Sequence, residues 1–549
     1  MKIKKQFLRL SVIALVLTAA LAFTTRAPFG NEFEISKNME IFVNLYKTLN
    51  TNYVDELDPS RLMRTGIDAM VNSLDPYTNY ITESQIESYR MLTEGRYNGF
   101  GAHIEKVRDY VTMIEIYENS PAAKAGLKAG DQIIAIEGRS TKGKTPEDIN
   151  TIVAGVTGTE LELTISRPRK TGKDEEFTIK LAREEVKIPN VPYSGMVSDD
   201  IGYIALTTFT QEAGRNVAKA LAELKEDNEN LKGVIFDLRD NGGGLLNEAV
   251  NVCNVFIPKG ELVVTTKGKV RDWDRAFKTL NPPTDTEIPV VVLINNRSAS
   301  ASEIVSGVLQ DYDRGVLLGQ RSYGKGLVQN TVDIGYNAKL KLTTSKYYIP
   351  SGRCIQSVEY QDGEPVNIAD DKRARFTTRA GRTVLDGGGV APDITAGLFE
   401  PTPFVKALQE QFILFDYVTQ YVIDMDTLAN VQDFHFTQWD DFKAYLQKRN
   451  FQYQTETDKL LEKTLEQAKK DGFEKLVDAA NLKQQLDAAK KAELEKNKAA
   501  IIDLIEKDVA SRFRFQNGKI QIGLRNDQEI KDAIGVLNDP SKYAKLLKK

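Results

Sequence analysis

The sequence predicts a multidomain protein of mixed α/β and α+β class: an α/β core, a small strand-rich domain before it, and helical domains at both ends. Three observations predict it. Two apolar, β-branched runs of strand length, Gly233–Leu238 and Ile288–Ile294, each pass through a turn of small residues into a segment of helical periodicity. From about Tyr97 to Arg183 the pattern is short alternating strands punctuated by glycine. The two ends carry apolar residues at three- and four-residue spacing with little strand signal. At 549 residues one core is too few. The boundaries read as a leader over 1–25, a helical domain over 26–95, the strand-rich domain over 96–185, the α/β core over 186–400 and a helical domain over 401–549.

Composition removes several function classes. Net charge is −4, so nothing global favours nucleic acid as a partner. Only two histidines occur, His103 and His435, and only two cysteines, Cys253 and Cys354. No cluster offers the three or four ligands of a zinc site, so no metal or other cofactor is expected. A Ser-His-Asp triad would have to recruit a histidine far away in sequence. Export permits a Cys253–Cys354 disulfide, but Cys253 lies in an apolar, helix-like run and both cysteines read as thiols.

The leader is basic, then apolar. Lys2, Lys4, Lys5 and Arg9 precede Leu10–Ala22, in which only Ser11 and Thr18 are polar, and Ala20-Leu21-Ala22 resembles a cleavage site. The apolar run is short for a bilayer span. The expectation is an exported protein of the periplasm or cell envelope; an uncleaved leader would attach it to the inner membrane. In the helical domain that follows, Ile41, Leu45 and Leu49 form a stripe, and Asp75-Pro76 marks a turn.

In the strand-rich segment, Val111–Tyr117 alternates and Thr145-Pro146-Glu147-Asp148 starts a helix with an N-cap and proline at its first position. The stretch SPAAKAGLKAGDQIIAIEG, from Ser120, resembles a PDZ domain, and about 85 residues is the right size for one. That resemblance implies capture of a peptide C-terminus by strand addition. Gly99, Phe100, Gly101 and Ala102 match the position of the carboxylate-binding loop, and Ile149 and Val153 are candidates to line the pocket for the last side chain. His103, just beyond, reads as an ordinary strand residue.

In the core, the turn Arg239-Asp240-Asn241-Gly242-Gly243-Gly244 lacks both G-K-[ST] and G-x-G-x-x-G, which argues against a nucleotide. Its glycines suit presentation of a backbone N–H to an oxyanion. The second turn carries Ser298, Ser300 and Ser302 at a helix start, and Lys325 lies between two glycines further on. Two strand-turn-helix units should set both turns at one sheet edge. Spacing alone leaves two readings: a serine-rich N-cap with a lysine in a surface turn, or a nucleophile with its base. A lysine base must be neutral, which requires desolvation.

Other phrases bear on that choice. SASASEIVSGVLQDYDRG with GKGLVQ, the DLRDNGGGLL turn, YVDELDP, SLDPYT, YYIPSGRCIQ and GGGVAPDI resemble the carboxy-terminal processing (tail-specific) serine peptidases, over about residues 40–400. The resemblance implies Ser300 as nucleophile, Lys325 as general base and Gln329 as the residue orienting the lysine. It also implies the backbone N–H groups of Ala301 and Gly243 as the oxyanion hole. Gly242 departs from the proline common in the family. Asp311 falls about 16 Å along the helix from Ser300 and is expected to be structural, with Arg314 or a neighbouring turn as partner.

The C-terminal block matches no motif. Leu460, Leu461, Leu465 and Ala468 form one apolar stripe and Ile501, Ile502 and Ile505 another, and homo-oligomers through these helices are an expectation. The function expected is an exported endopeptidase acting on proteins with free, unstructured C-termini. The rivals are a catalytically silent PDZ scaffold and a structural envelope protein assembled by the C-terminal helices.

Overall fold

A computed structural model describes residues 29–548 except 362–363, 368, 398–400, 426 and 474–477. The expected leader lies outside the described residues. Residues up to Tyr80 form one compact unit and Ile81 onward a second.

In the first unit, helices Phe29–Asn52 and Pro59–Asn72 form a hairpin. Asp58 caps the second helix by accepting from the N–H groups of Ser60 and Arg61. The hairpin is closed by the Tyr46 hydroxyl on Pro59 O (2.8 Å) and by Phe42 against Gly66. The expected stripe is rotated away: Ile41 and Leu45 are exposed. Four-residue spacing located the helix but not the face that packs.

The second unit is built on a six-stranded sheet in the order Tyr193–Met196, Ile201–Ala205, Gly233–Asp237, Val290–Ile294, Val316–Gly319 and Ile394–Thr395. The first pair is antiparallel and every later pair parallel. Residues alternate between the two faces, as strand geometry requires. Ile204, Val234, Phe236, Val292 and Ile294 meet the helices Ala213–Asp227, Leu246–Phe256 and Ala301–Asp311. Tyr203, Ile235, Val291, Leu293 and Leu318 meet Ile530, Ala533, Leu537 and Leu547. A parallel sheet needs both faces covered, and here the second cover comes from the far end of the chain. Beside this sheet, the hairpin Leu327–Gly335/Ala338–Tyr348 pairs with Leu262–Gly268.

The strand-rich domain pairs Ala102–Val107, Tyr110–Ile116, Gln132–Ile136, Glu160–Arg167 and Glu175–Ala182 in that order, all antiparallel, with helix Pro146–Val153 packed on them. Thr145 is the N-cap and Pro146 opens the helix, as expected, and Asp148 returns the cap by accepting from Thr145 N–H.

The C-terminal helices have an aromatic core of Phe404, Tyr417, Phe436, Trp439, Phe442 and Tyr445, with Ile501 and Ile505 in it. Of the two expected stripes only the second is core; Leu460 is 61% exposed. Helix Lys498–Leu524 kinks at Arg514–Phe515, where Phe515 packs on the core of the strand-rich domain and Arg512 donates to Ala129 O (2.8 Å). Both cysteines are free thiols. Among the described residues no helix is long and apolar enough to cross a membrane.

Candidate active site

The strand Val290–Ile294 ends in a sharp turn and Ser300 heads the helix Ala301–Asp311 with φ +56° and ψ −111°. A β-carbon is unfavourable there, so the strain must be held by its surroundings. Ser298 and Ser302 supply part of the hold: their buried hydroxyls donate to Leu238 O and Asn241 O, both at 2.8 Å. Of the three serines only Ser300 is not buried.

The glycine turn docks on this one. Ala299 N–H donates to Asn241 O (3.0 Å). Gly243 has φ +99°, and a β-carbon on it would lie 2.7 Å from Ala299 O, 2.9 Å from Ser300 Cβ and 3.0 Å from Ala301 N. Only glycine permits both that conformation and that approach. The structure thus brings together the two predicted oxyanion donors, Gly243 and Ala301. The Gly243 N–H, however, donates to Asn241 Oδ1 at 2.9 Å, so in this state it is engaged by the turn's own side chain.

Glu303 joins the serine turn to the lysine loop. It is fully buried. Its Oε2 accepts from Ser300 N–H (2.7 Å) and Lys325 N–H (2.8 Å), and its Oε1 from Gly324 N–H and the Ser322 hydroxyl, both at 2.6 Å. Burial pushes the carboxyl above the ordinary glutamate range, and the four donors pull it back towards the charged form. Tyr347 completes the clasp: its hydroxyl faces Lys325 O (2.7 Å) and Ser300 O (3.2 Å). Lys325 is half-buried, and Gly326 N–H is held by Gln356 Oε1 at 2.6 Å. Gln329 lies on the neighbouring strand, its amide donating to Thr343 Oγ1 (3.2 Å).

Asp311 is far from this chemistry. It is buried at the far end of the helix, accepts from Ser351 N–H (2.9 Å) and pairs with Arg353 (3.0 Å). Of the two expected partners, the turn at Ser351 is the one Asp311 meets, while Arg314 donates to Phe256 O and Asp285 O. A cavity of about 440 Å³ at that end is lined by Arg353, Arg382 and Asp393 among others, and both arginines are already paired with aspartates.

In the strand-rich domain, a cavity of about 150 Å³ is lined by Phe100, Ala102, His103, Ile104, Tyr117 and Val153, with Tyr97 and Met91 beside them. Gly99 ends the strand that leads into it and Gly101 follows Phe100 with φ +89°. Ile149 does not line this cavity; it sits wholly inside the domain's core. His103, by contrast, faces the groove.

The sequence profile of Peptidase family S41 matches residues 200–365, that of a PDZ domain residues 114–167, and that of a probable PDZ-protease C-terminal helical domain residues 404–537. A carboxy-terminal-processing protease of Bartonella bacilliformis is 38% identical over 331 residues, covering 60% of this chain and 75% of that protein. The chain belongs to the S41 carboxy-terminal processing peptidases. A probable CtpA-like serine protease of Staphylococcus aureus is 31% identical over 74% of this chain and 82% of its own length. Among solved structures, a photosystem II D1 C-terminal processing protease is 24% identical over 68% of this chain and 96% of its own, with a TM-score of 0.34. The peptidase is therefore a serine enzyme with a PDZ domain and a C-terminal helical domain.

Sequence reasoning missed Glu303 and Tyr347. The first had a signal, since Ser300-Ala301-Ser302-Glu303 has the spacing of a capping box. Tyr347 had none.

Proposed function

We propose that this peptidase cleaves proteins near free, unstructured C-termini, with Ser300 as nucleophile, Lys325 as general base and the PDZ groove as the tail-binding site. The observation that carries the reading is the shared Glu303 oxygen, which fixes the backbones of Ser300 and Lys325 to each other. Ser300 Oγ attacks the scissile carbonyl carbon and its proton passes to the neutral Lys325 amine. The carbonyl oxygen becomes an oxyanion beside Ala301 N–H, with Gly243 N–H as second donor once it leaves Asn241 Oδ1. Collapse breaks the C–N bond, the lysine returns the proton to the departing amine, and water then hydrolyses the acyl-serine by the same base. Gln329, four residues on from Lys325, is the candidate to orient the lysine amine. The leader supports action in the cell envelope.

The test is cleavage of one tailed peptide with a free or an amidated C-terminus by wild type, Ser300→Ala and Lys325→Ala. Both variants should be inactive, and amidation should raise KM. Full cleavage by either variant overturns the dyad; indifference to amidation overturns tail capture.

A further inference from the structure

The glycine turn is held from outside the peptidase core as well as from within it. Arg239, its first residue, lies two positions beyond the strand Gly233–Asp237 and four before Gly243. Its guanidinium grips Asp237 through Nε (3.0 Å) and Nη2 (2.6 Å). Nη1 reaches Asp527 Oδ2 and Glu529 Oε2, both at 2.7 Å. The last two belong to the C-terminal helical part of the chain, 288 and 290 residues away. The cluster is largely out of water, with the Arg239 side chain 18% exposed and Asp527 and Glu529 at 20% and 16%. Asp237 Oδ2 also accepts from the buried Tyr203 hydroxyl at 2.8 Å.

Asp527 has two tasks. Its Oδ1 caps the helix Gln528–Leu537 by accepting from the N–H groups of Glu529 and Ile530, while Oδ2 holds Arg239. The helix is seated on the sheet through Ile530, Ala533 and Leu537, so the carboxylates are presented from a fixed base. Three carboxylates around one guanidinium is an excess of negative charge, and burial raises the Glu529 carboxyl against the pull of Arg239. Such a cluster is a poor way to gain stability alone. Its geometric effect is definite: the residue after Arg239, Asp240, has φ +60° and its N–H meets Asn295 Oδ1 (3.0 Å) on the serine turn. Arg239 is thus gripped from the C-terminal side just where the turn bends towards Ser300.

We infer that Asp527 and Glu529 are positioning residues for peptide hydrolysis, acting through Arg239 to hold the turn that sets Gly243 against Ser300. This rests on the reading of Ser300 as nucleophile. It gives the C-terminal helices a part in the chemical step.

The test uses the full chain and a short, amidated internal peptide. In Asp527→Asn/Glu529→Gln, kcat should fall on the order of tenfold, a fraction of the ~10²–10³ lost when an oxyanion donor is removed outright. KM should stay within about twofold, since ground-state contacts are untouched. Affinity for a peptide boronate, which forms a tetrahedral adduct on the serine, should fall with kcat, while binding of a tailed peptide to the PDZ domain is unchanged. Asp532→Asn, an exposed change on the same helix, should do none of this, and Glu529→Asp should keep more activity than Glu529→Gln. If the double variant fails to fold, Glu529→Gln alone, which leaves the Asp527 cap intact, carries the same comparison. Unchanged kcat, an equal loss in Asp532→Asn, or a loss of kcat with unchanged boronate affinity overturns the inference. Ser300→Ala is run beside these: activity there overturns the serine reading itself, whereas an inactive Ser300→Ala with a fully active double variant removes only the positioning role.

Discussion

Replacing Glu303 by glutamine changes one atom and the charge, and the four contacts let its cost be worked out. The amide has one oxygen where the carboxylate has two. Its NH2 would be placed at the Oε1 site, because there the Ser322 hydroxyl can turn to accept from it, whereas at Oε2 it would face the N–H groups of both Ser300 and Lys325. Gly324 N–H is then left without an acceptor in a fully buried position, at about 1–3 kcal/mol. The two remaining bonds, to Ser300 and Lys325, lose the help of a charge, at roughly 1 kcal/mol each. The total is about 3–5 kcal/mol. It is shared between stability and rate according to how far the two loops relax. We expect kcat/KM on a short peptide to fall at least ~30-fold, about 2 kcal/mol of the total at 1.4 kcal/mol per decade. Amide hydrogen exchange should quicken in both 298–303 and 322–326. Wild-type kcat/KM together with unchanged exchange in both segments would refute the view that Glu303 holds the pair together.

Two further outcomes follow from charge and burial. Because burial raises the Glu303 carboxyl, its protonation should loosen the clasp on Ser300 and Lys325 at a higher pH than an ordinary glutamate would give, read as quicker amide exchange in 298–303 and 322–326, since turnover has already stopped once Lys325 is protonated. A raised folded-state value also means the folded form binds the proton more readily, so this group's contribution to stability is present at low pH and lost as pH rises through it. That loosening should come before global unfolding as acid is added; exchange that quickens only together with unfolding would count against it. Asp311→Ala should leave kcat per folded molecule unchanged while costing about 3–5 kcal/mol in stability, because Arg353, 2% exposed, would lose its partner; a kcat deficit in folded protein would return Asp311 to the active site.

Much of this organisation was legible in local sequence. Ile288–Ile294 and Gly233–Leu238 announce central strands because both their faces are covered, and the Thr145 cap is written in four consecutive residues. What serine spacing could not do was choose among Ser298, Ser300 and Ser302, since the choice is made by burial against Leu238 and Asn241. Glu303 was overlooked because a glutamate in a helix is ordinarily solvated, and its four donors come partly from a loop about twenty residues on. Ile149 and Val153 share a helix face and both are core, yet only Val153 also lines the groove. The Arg239 cluster was out of reach for any periodicity, its partners being nearly 290 residues apart.

The seating of residues 530–547 on the sheet bears on when, during synthesis, this enzyme can become active. Until residues 527–547 have been made, Tyr203, Ile235, Val291, Leu293 and Leu318 lack the cover of Ile530, Ala533, Leu537 and Leu547, and Arg239 lacks two of its three carboxylate partners. The serine and lysine turns are translated more than two hundred residues earlier. A nascent chain therefore carries Ser300 and Lys325 long before it has that packing. If Asp527 and Glu529 hold the turn as inferred, the site gains its full support only after residues 527–547 have been added, which limits the time in which a half-made peptidase could attack its neighbours or itself.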